Sequence, residues 1–291
     1  MILDNINIIL SRMKPGPGNG IQQILDIDIN LENYKTRLAK LLCGRFSSAW
    51  NKYFKEEQEI WRGVKSHDYG DIVVVSPGTR ISQNVNNLYT RLLSDILPDW
   101  KDYPKRSQSF ICTNSRNLSS FYGNSYLIFP ENGAKIGICP RADIWDSFRL
   151  TLNHPSIPEF VAEIRAILSI ANEKSLESIN NLLVDGTVEE IMLAMDRATE
   201  FLHTSTGITS IYDIRMKDEF INNKNLTLLD YIQKQLDPIK NGFVSTTIEQ
   251  LTLSQTKEHE IWTDATCLMV KEETVPLLRR IMSRFSSCST K

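Results

Sequence analysis

Apolar positions along the chain fall into two textures. Leu31, Tyr34, Leu38, Leu41 and Leu42 recur at helical spacing, and Phe46, Trp50 and Phe54 repeat every four residues after Gly44, so residues 31–59 are predicted helical. Short β-rich runs follow. Residues 59–64, 71–75, 107–113, 126–129 and 134–139 each read as a strand, with a helix over 84–97 between the second and third. From 155 to 240 the spacing is helical throughout, with Phe160, Ile164, Ile167 and Leu168 on one stripe and Leu226, Leu229, Ile232 and Leu236 on another. Strand texture returns in 243–247, 258–262 and 265–270, ahead of a last helix over 274–285 and a Ser/Thr-rich tail. Turns, such as Pro130-Glu131-Asn132-Gly133, separate most of the short strands. That pattern predicts an α+β fold rather than a doubly wound parallel sheet. The expected organisation is an N-terminal extension over 1–44, a mixed β core from 45–150 and 243–291, and a helical insertion over 151–242.

Composition narrows the class. The 291 residues carry 33 basic and 35 acidic side chains, for a net charge of -2, and 41% are hydrophobic. The chain is too apolar for intrinsic disorder and long enough to bury a sizeable core. Its near-neutral balance gives no support for a general nucleic-acid or membrane-surface binder, which would carry a basic excess. No apolar run is long enough to span a bilayer, so no membrane partner is expected. Asp4 sits where a secretory leader would want a basic residue, and no small-residue cleavage site follows. The five cysteines, Cys43, Cys112, Cys139, Cys267 and Cys288, are scattered with no C-x-x-C. Together these features predict reduced thiols in a cytoplasmic compartment, without a zinc site or a disulfide framework. Pro15-Gly16-Pro17-Gly18-Asn19-Gly20 reads as a linker, since it lacks the pattern of a phosphate-binding loop. The basic cluster Lys101, Lys105 and Arg106, beside Trp100 and Tyr103, lies next to Asp99 and Asp102 and reads as a solvated loop.

Three strand-like runs hold unusual polar residues. In Trp61-Arg62-Gly63, an arginine within a strand offers a planar fork of donors suited to phosphate, or is simply a surface charge. Ser109-Phe110-Ile111-Cys112-Thr113-Asn114-Ser115 is rich in hydroxyls and amides, as a ligand site or as a strand entering a turn. In Glu258-His259-Glu260-Ile261-Trp262, strand alternation sets Glu258 and Glu260 side by side, with His259 opposite. Paired carboxylates repel, so they imply either a cation or polar ligand or an edge strand protected by charge.

In this order the three runs resemble the ADP-ribosyltransferase superfamily, in the branch whose signature is an Arg strand, a Ser-Thr-Ser strand and a Glu-x-Glu strand. Aromatic-Arg-Gly is matched by Trp61-Arg62-Gly63. Phe-x-Ser-Thr-Ser is matched by Phe110 to Asn114, with Cys112 in place of the first Ser and Asn114 in place of the last. A short helix and Gly123 follow, then a strand and the Pro-x-x-Gly-Ala-Lys turn at Pro130 to Lys135. The resemblance covers roughly 45–148 and 243–272. It implies a two-sheet β core with flanking helices, and transfer of ADP-ribose from NAD, as a substrate, to an arginine of a target protein. By motif position Glu260 would stabilise the cationic ribose, Glu258 would orient or deprotonate the acceptor, and Arg62 would hold the NAD phosphate or ribose. Gly63, Ser109, Thr113, Asn114 and Tyr122 would complete the NAD site, and no metal is implied. Tyr122 and Trp262 are candidate stacking surfaces. His67, His154 and His203 are read as structural. The insertion would select the target or cover the cleft. A phage-encoded chain would act in the host cytoplasm or the virion, and the alternative is a non-catalytic scaffolding protein on a degenerate version of the same fold.

Overall fold

The structure is a computed structural model, and it describes residues 31–65, 70–78, 88–150, 156–204, 216–254 and 256–283. The Pro15–Gly20 linker, His67, His154, the first part of the helix expected over 84–97 and the end of the C-terminal tail lie outside the described residues. The chain separates into two compact units. One comprises 1–79, 108–142 and 244–291, and the other 80–107 and 143–243.

The first unit is α+β. It opens with α1 (Leu31–Cys43) and α2 (Ser47–Glu56), followed by β1 (Trp61–Val64) and β2 (Ile72–Val75). Two breaks interrupt the helix expected over 31–59. The chain turns at Gly44 between α1 and α2, and α2 closes at Glu57, which takes the left-handed conformation at φ 54°. The Asn132 side chain holds this corner, its Oδ1 accepting from the Ser48 N–H and its Nδ2 donating to the Gly44 carbonyl. Much of the apolar stripe read from the sequence is buried: Leu38, Leu42, Phe46 and Trp50 join a core with Phe129, Ile136, Leu268 and Val270, while Phe54 at the end of α2 is 52% exposed.

The second unit begins with α3 (Leu88–Arg91), which passes into a π turn over Leu92–Ile96 before Pro98. The chain then returns to the first unit for β3 (Phe110–Thr113), the five-residue α4 (Arg116–Ser120), β4 (Asn124–Pro130) and β5 (Lys135–Ile138). The helical segment follows in the second unit: α5 (Ile157–Ala171), α6 (Leu176–Asp185), α7 (Val188–Thr204), α8 (Lys217–Asn222), α9 (Leu228–Leu236) and α10 (Pro238–Asn241). Side-chain caps start several of these helices. Ser156 caps α5, Ser175 caps α6, and Thr227 with Asp230 forms a capping box on α9. Phe160, Ile164, Ile167, Tyr231 and Ile232 are fully buried in this unit. The basic cluster is part of its packing rather than a solvated loop. Arg106 is 2% exposed, and the buried Trp100 donates from its ring nitrogen to the Leu236 carbonyl. Only Lys101 and Lys105 of that cluster are exposed.

The first unit is completed by β6 (Val244–Thr247), β7 (Glu260–Thr263), β8 (Cys267–Lys271) and α11 (Val275–Met282). The strands form one antiparallel sheet of eight, in the order β2-β8-β4-β1-β3-β7-β5-β6. This replaces the expected pair of sheets, and the reason lies in the middle of the ladder. Every other neighbouring pair shares at least two residue pairs, whereas β1 and β3 meet only at Trp61 and Thr113. Two four-stranded halves therefore hang on one link. Cys43 is disulfide-bonded, which overturns the expectation of reduced thiols throughout, because pairing cannot be read from spacing. Cys112, Cys139 and Cys267 are free and buried.

Candidate functional site

The three strands that carry the polar runs are immediate neighbours, in the order β1-β3-β7. Trp61 pairs with Thr113, and Thr113 pairs with Glu260, so one residue from each run stands in a single row across the narrowest part of the sheet. Adjacent strands lie about 4.8 Å apart, which puts the three runs within a side chain's reach of each other.

Arg62 is half-buried beside this link. Its Nη1 donates to the Ile111 carbonyl at 2.9 Å, and its guanidinium carbon lies 5.3 Å from the centre of the Phe110 ring. It binds a β3 carbonyl where β1 and β3 diverge and no backbone ladder continues. Alternation along the strands sets Arg62 on the face of Cys112, and Thr113 and Glu260 on the face of Trp61. Arg62 and Glu260 therefore leave opposite faces of the sheet. Burial pushes the Cys112 thiol up to about 12; the Arg62 charge and hydrogen bond oppose that rise, and the Glu260 charge adds to it. The thiol in place of the first Ser thus shares its face with the arginine of the first run. Cys267 is likewise pushed well above the ordinary thiol range by burial.

Glu260 is the first residue of β7, and its backbone is held from the β5 side. The Cys139 N–H donates to its carbonyl at 2.8 Å, and its own N–H donates to the Arg141 carbonyl at 2.9 Å. Glu258 lies ahead of β7, which begins at Glu260, and is exposed. Asn114 holds the segment before the strand. Its amide takes the backbone of the preceding segment, donating to Ser254 and Lys257 carbonyls at 3.2 and 2.8 Å and accepting from the His259 N–H at 2.7 Å. The His259 ring donates from Nδ1 to the Cys139 carbonyl at 2.8 Å, which accounts for that histidine structurally. His203 is bonded through Nε2 to the Leu226 carbonyl.

The other residues expected at the site divide between solvent-exposed and packing positions. Thr113 is buried, and its hydroxyl accepts from the Ser115 N–H at 3.1 Å. Ser115 in turn caps α4 through the Leu118 N–H. Ser109 is 6% exposed. Gly63 is required by α4: a Cβ there would stand 2.1 Å from the Ser119 carbonyl oxygen and 2.6 Å from the Tyr122 Cβ. Tyr122 is 54% exposed and Phe121 is 82% exposed, so the end of α4 presents two aromatic rings to solvent. Trp262 is a core residue at 1% exposure, its ring filling the space above Gly137, and it offers no stacking surface.

A charged rim missed by sequence reasoning surrounds Trp61. The Trp61 ring nitrogen donates to Glu59, Arg116 lies 5.8 Å over the Trp61 ring, and Arg116 pairs with Glu272. Nothing in the sequence links Arg116 and Glu272 to Trp61, because those contacts join segments far apart in the chain. Among the described residues no cluster of three or more His, Cys, Asp or Glu side chains forms a metal site, and no helix is long and apolar enough to cross a membrane. Comparison of the chain with protein-family models, with curated proteins and with solved structures finds no match.

Proposed function

We propose that the chain transfers ADP-ribose from NAD to a protein side chain, with arginine as the acceptor, and releases nicotinamide. The observation that carries this reading is the juxtaposition of the three polar runs. They come from sequence positions nearly two hundred residues apart, yet occupy adjacent strands, with Trp61, Thr113 and Glu260 in one row and Arg62 next to it. The chemistry needs those charges together. The bond from ribose C1′ to the nicotinamide nitrogen breaks, and its electron pair leaves with nicotinamide. The Glu260 carboxylate stabilises the cationic ribose that results, an electrostatic effect amplified where water is excluded. Arg62 keeps donors beyond the one given to Ile111, and they suit a pyrophosphate oxygen. A guanidine nitrogen of the acceptor then bonds to C1′ and gives its proton to Glu258.

Specific observations favour a second reading, a non-catalytic protein on the same framework. The Thr113 hydroxyl, the Asn114 amide and one Arg62 nitrogen are already bonded within the protein, and the group in place of the first Ser is a thiol held protonated at neutral pH. One experiment separates the two. The protein is incubated with NAD labelled in its adenylate and with a mixed lysate, comparing wild type with Glu260→Gln. Transfer predicts labelled protein from wild type and a loss of about 10³-fold in the variant, roughly 4 kcal/mol of barrier. Equal labelling, or none from either, removes the enzymatic reading.

A further inference from the structure

Segment 254–259, which carries Glu258 into β7, has no strand ladder of its own among the described residues. The Asn114 side chain, just past β3, holds its backbone, beside the His259 ring bond to the Cys139 carbonyl. Asn114 spends both amide hydrogens on the Ser254 and Lys257 carbonyls and its oxygen on the His259 N–H, while its own backbone N–H donates to the His259 carbonyl at 3.4 Å. A serine, the residue the resemblance would place here, has a single O–H donor and cannot span both carbonyls. The backbone of Glu260 is secured separately, by Cys139 and Arg141. Glu258 therefore stands between two positions that Asn114 fixes, and Glu260 stands on an anchor that Asn114 does not supply.

We infer that Asn114 is a positioning residue that sets the place of Glu258 and thereby the partition between transfer to an acceptor and hydrolysis of NAD. The inference rests on the transferase reading above. Nicotinamide leaves with the C1′–N electron pair in either outcome. In transfer a guanidine nitrogen bonds to C1′ and its proton goes to Glu258; in hydrolysis water bonds to C1′ and its proton goes to solvent. Loosening the segment displaces the base that transfer needs more than the carboxylate that both outcomes need.

The test uses the full chain as wild type, Asn114→Ala, Asn114→Ser, Glu258→Gln and the Asn114→Ala/Glu258→Gln double variant. Hydrogen exchange is read at the His259 and Cys139 amides, and NAD turnover is read with agmatine, a small guanidine, as acceptor. In Asn114→Ala the His259 amide is expected to exchange about tenfold faster with Cys139 little changed. The ratio of ADP-ribosyl-agmatine to free ADP-ribose is expected to fall about tenfold, and the double variant to match Glu258→Gln within about twofold, because both act through one group. Asn114→Ser, which keeps a small polar side chain, is expected to fall between wild type and alanine and carries the same readouts should the alanine variant not fold. Unchanged His259 exchange, an unchanged product ratio, or effects that multiply in the double variant overturn the inference. Absence of nicotinamide release by wild type removes the transferase reading instead, and the exchange data alone then decide whether Asn114 holds the segment.

Discussion

Cys112 sits where the resemblance expects a hydroxyl, and its surroundings determine what it can do. Burial in the sheet, opposed by the neighbouring Arg62, pushes its thiol up to about 12. At pH 8 about one such thiol in ten thousand is ionised, and the thiolate is the reactive species. Cys112 and Cys267 are therefore expected to resist iodoacetamide in the native protein at pH 8 and to react on denaturation; mass spectrometry showing stoichiometric native labelling of either would contradict the burial. The order of three short runs singled out Arg62, Thr113 and Glu260, which stand on neighbouring strands. The bonds that Arg62 and Asn114 make were not legible there, since each closes on a carbonyl whose position depends on how β1 and β3 diverge and on where β7 begins.

At the scale of elements, the periodic segments were read well and the strand ends less so. The helical stripes of 31–59 and 155–240 became α1, α2 and the helices of the second unit because most of the apolar positions that set the period, such as Leu38, Leu42, Phe46, Trp50, Phe160, Ile164 and Ile232, are buried. Position 258 read as strand because it continues an alternating run, but Asn114 competes for that backbone and β7 starts at Glu260. Residues 107–108 read as strand for a similar reason and lie in a 3-10 turn over Arg106–Gln108. Two glycines that local pattern could not explain are explained by neighbours. Gly63 admits α4 against β1, and Gly137 admits the Trp262 ring, which a Cβ would approach to 2.2 Å. Gly63→Ala meets backbone and Gly137→Ala meets a buried ring, so each is expected to destabilise the first unit by about 1–3 kcal/mol in urea unfolding. A change within about 0.5 kcal/mol at both sites would contradict the packing described.

For the molecule as a whole, α+β character was evident in the sequence, whereas the single link between the halves of the sheet was not. The β1–β3 junction is one residue pair, and no periodicity encodes how many pairs two strands share. Protons retained on folding give a global consequence. The native state holds the Cys112 proton from its ordinary 9.0 to about 12, and in the second unit burial raises the Tyr103 hydroxyl from 10.0 to about 12. Unfolded chains release these protons first, so the native state binds more of them and stability falls as pH rises from about 9 towards about 12. Thermal scans between pH 7 and 11 are expected to show Tm falling above about pH 9 in wild type, and a flat profile would contradict the burial of these groups. The central claim, that residues converging from three strands form a site that cleaves NAD, is tested most directly by following nicotinamide release from NAD by chromatography, for wild type and Glu260→Gln side by side. Wild type is predicted to release nicotinamide steadily and the variant about 10³-fold more slowly; release that is absent from both proteins, or equal in them, contradicts the claim.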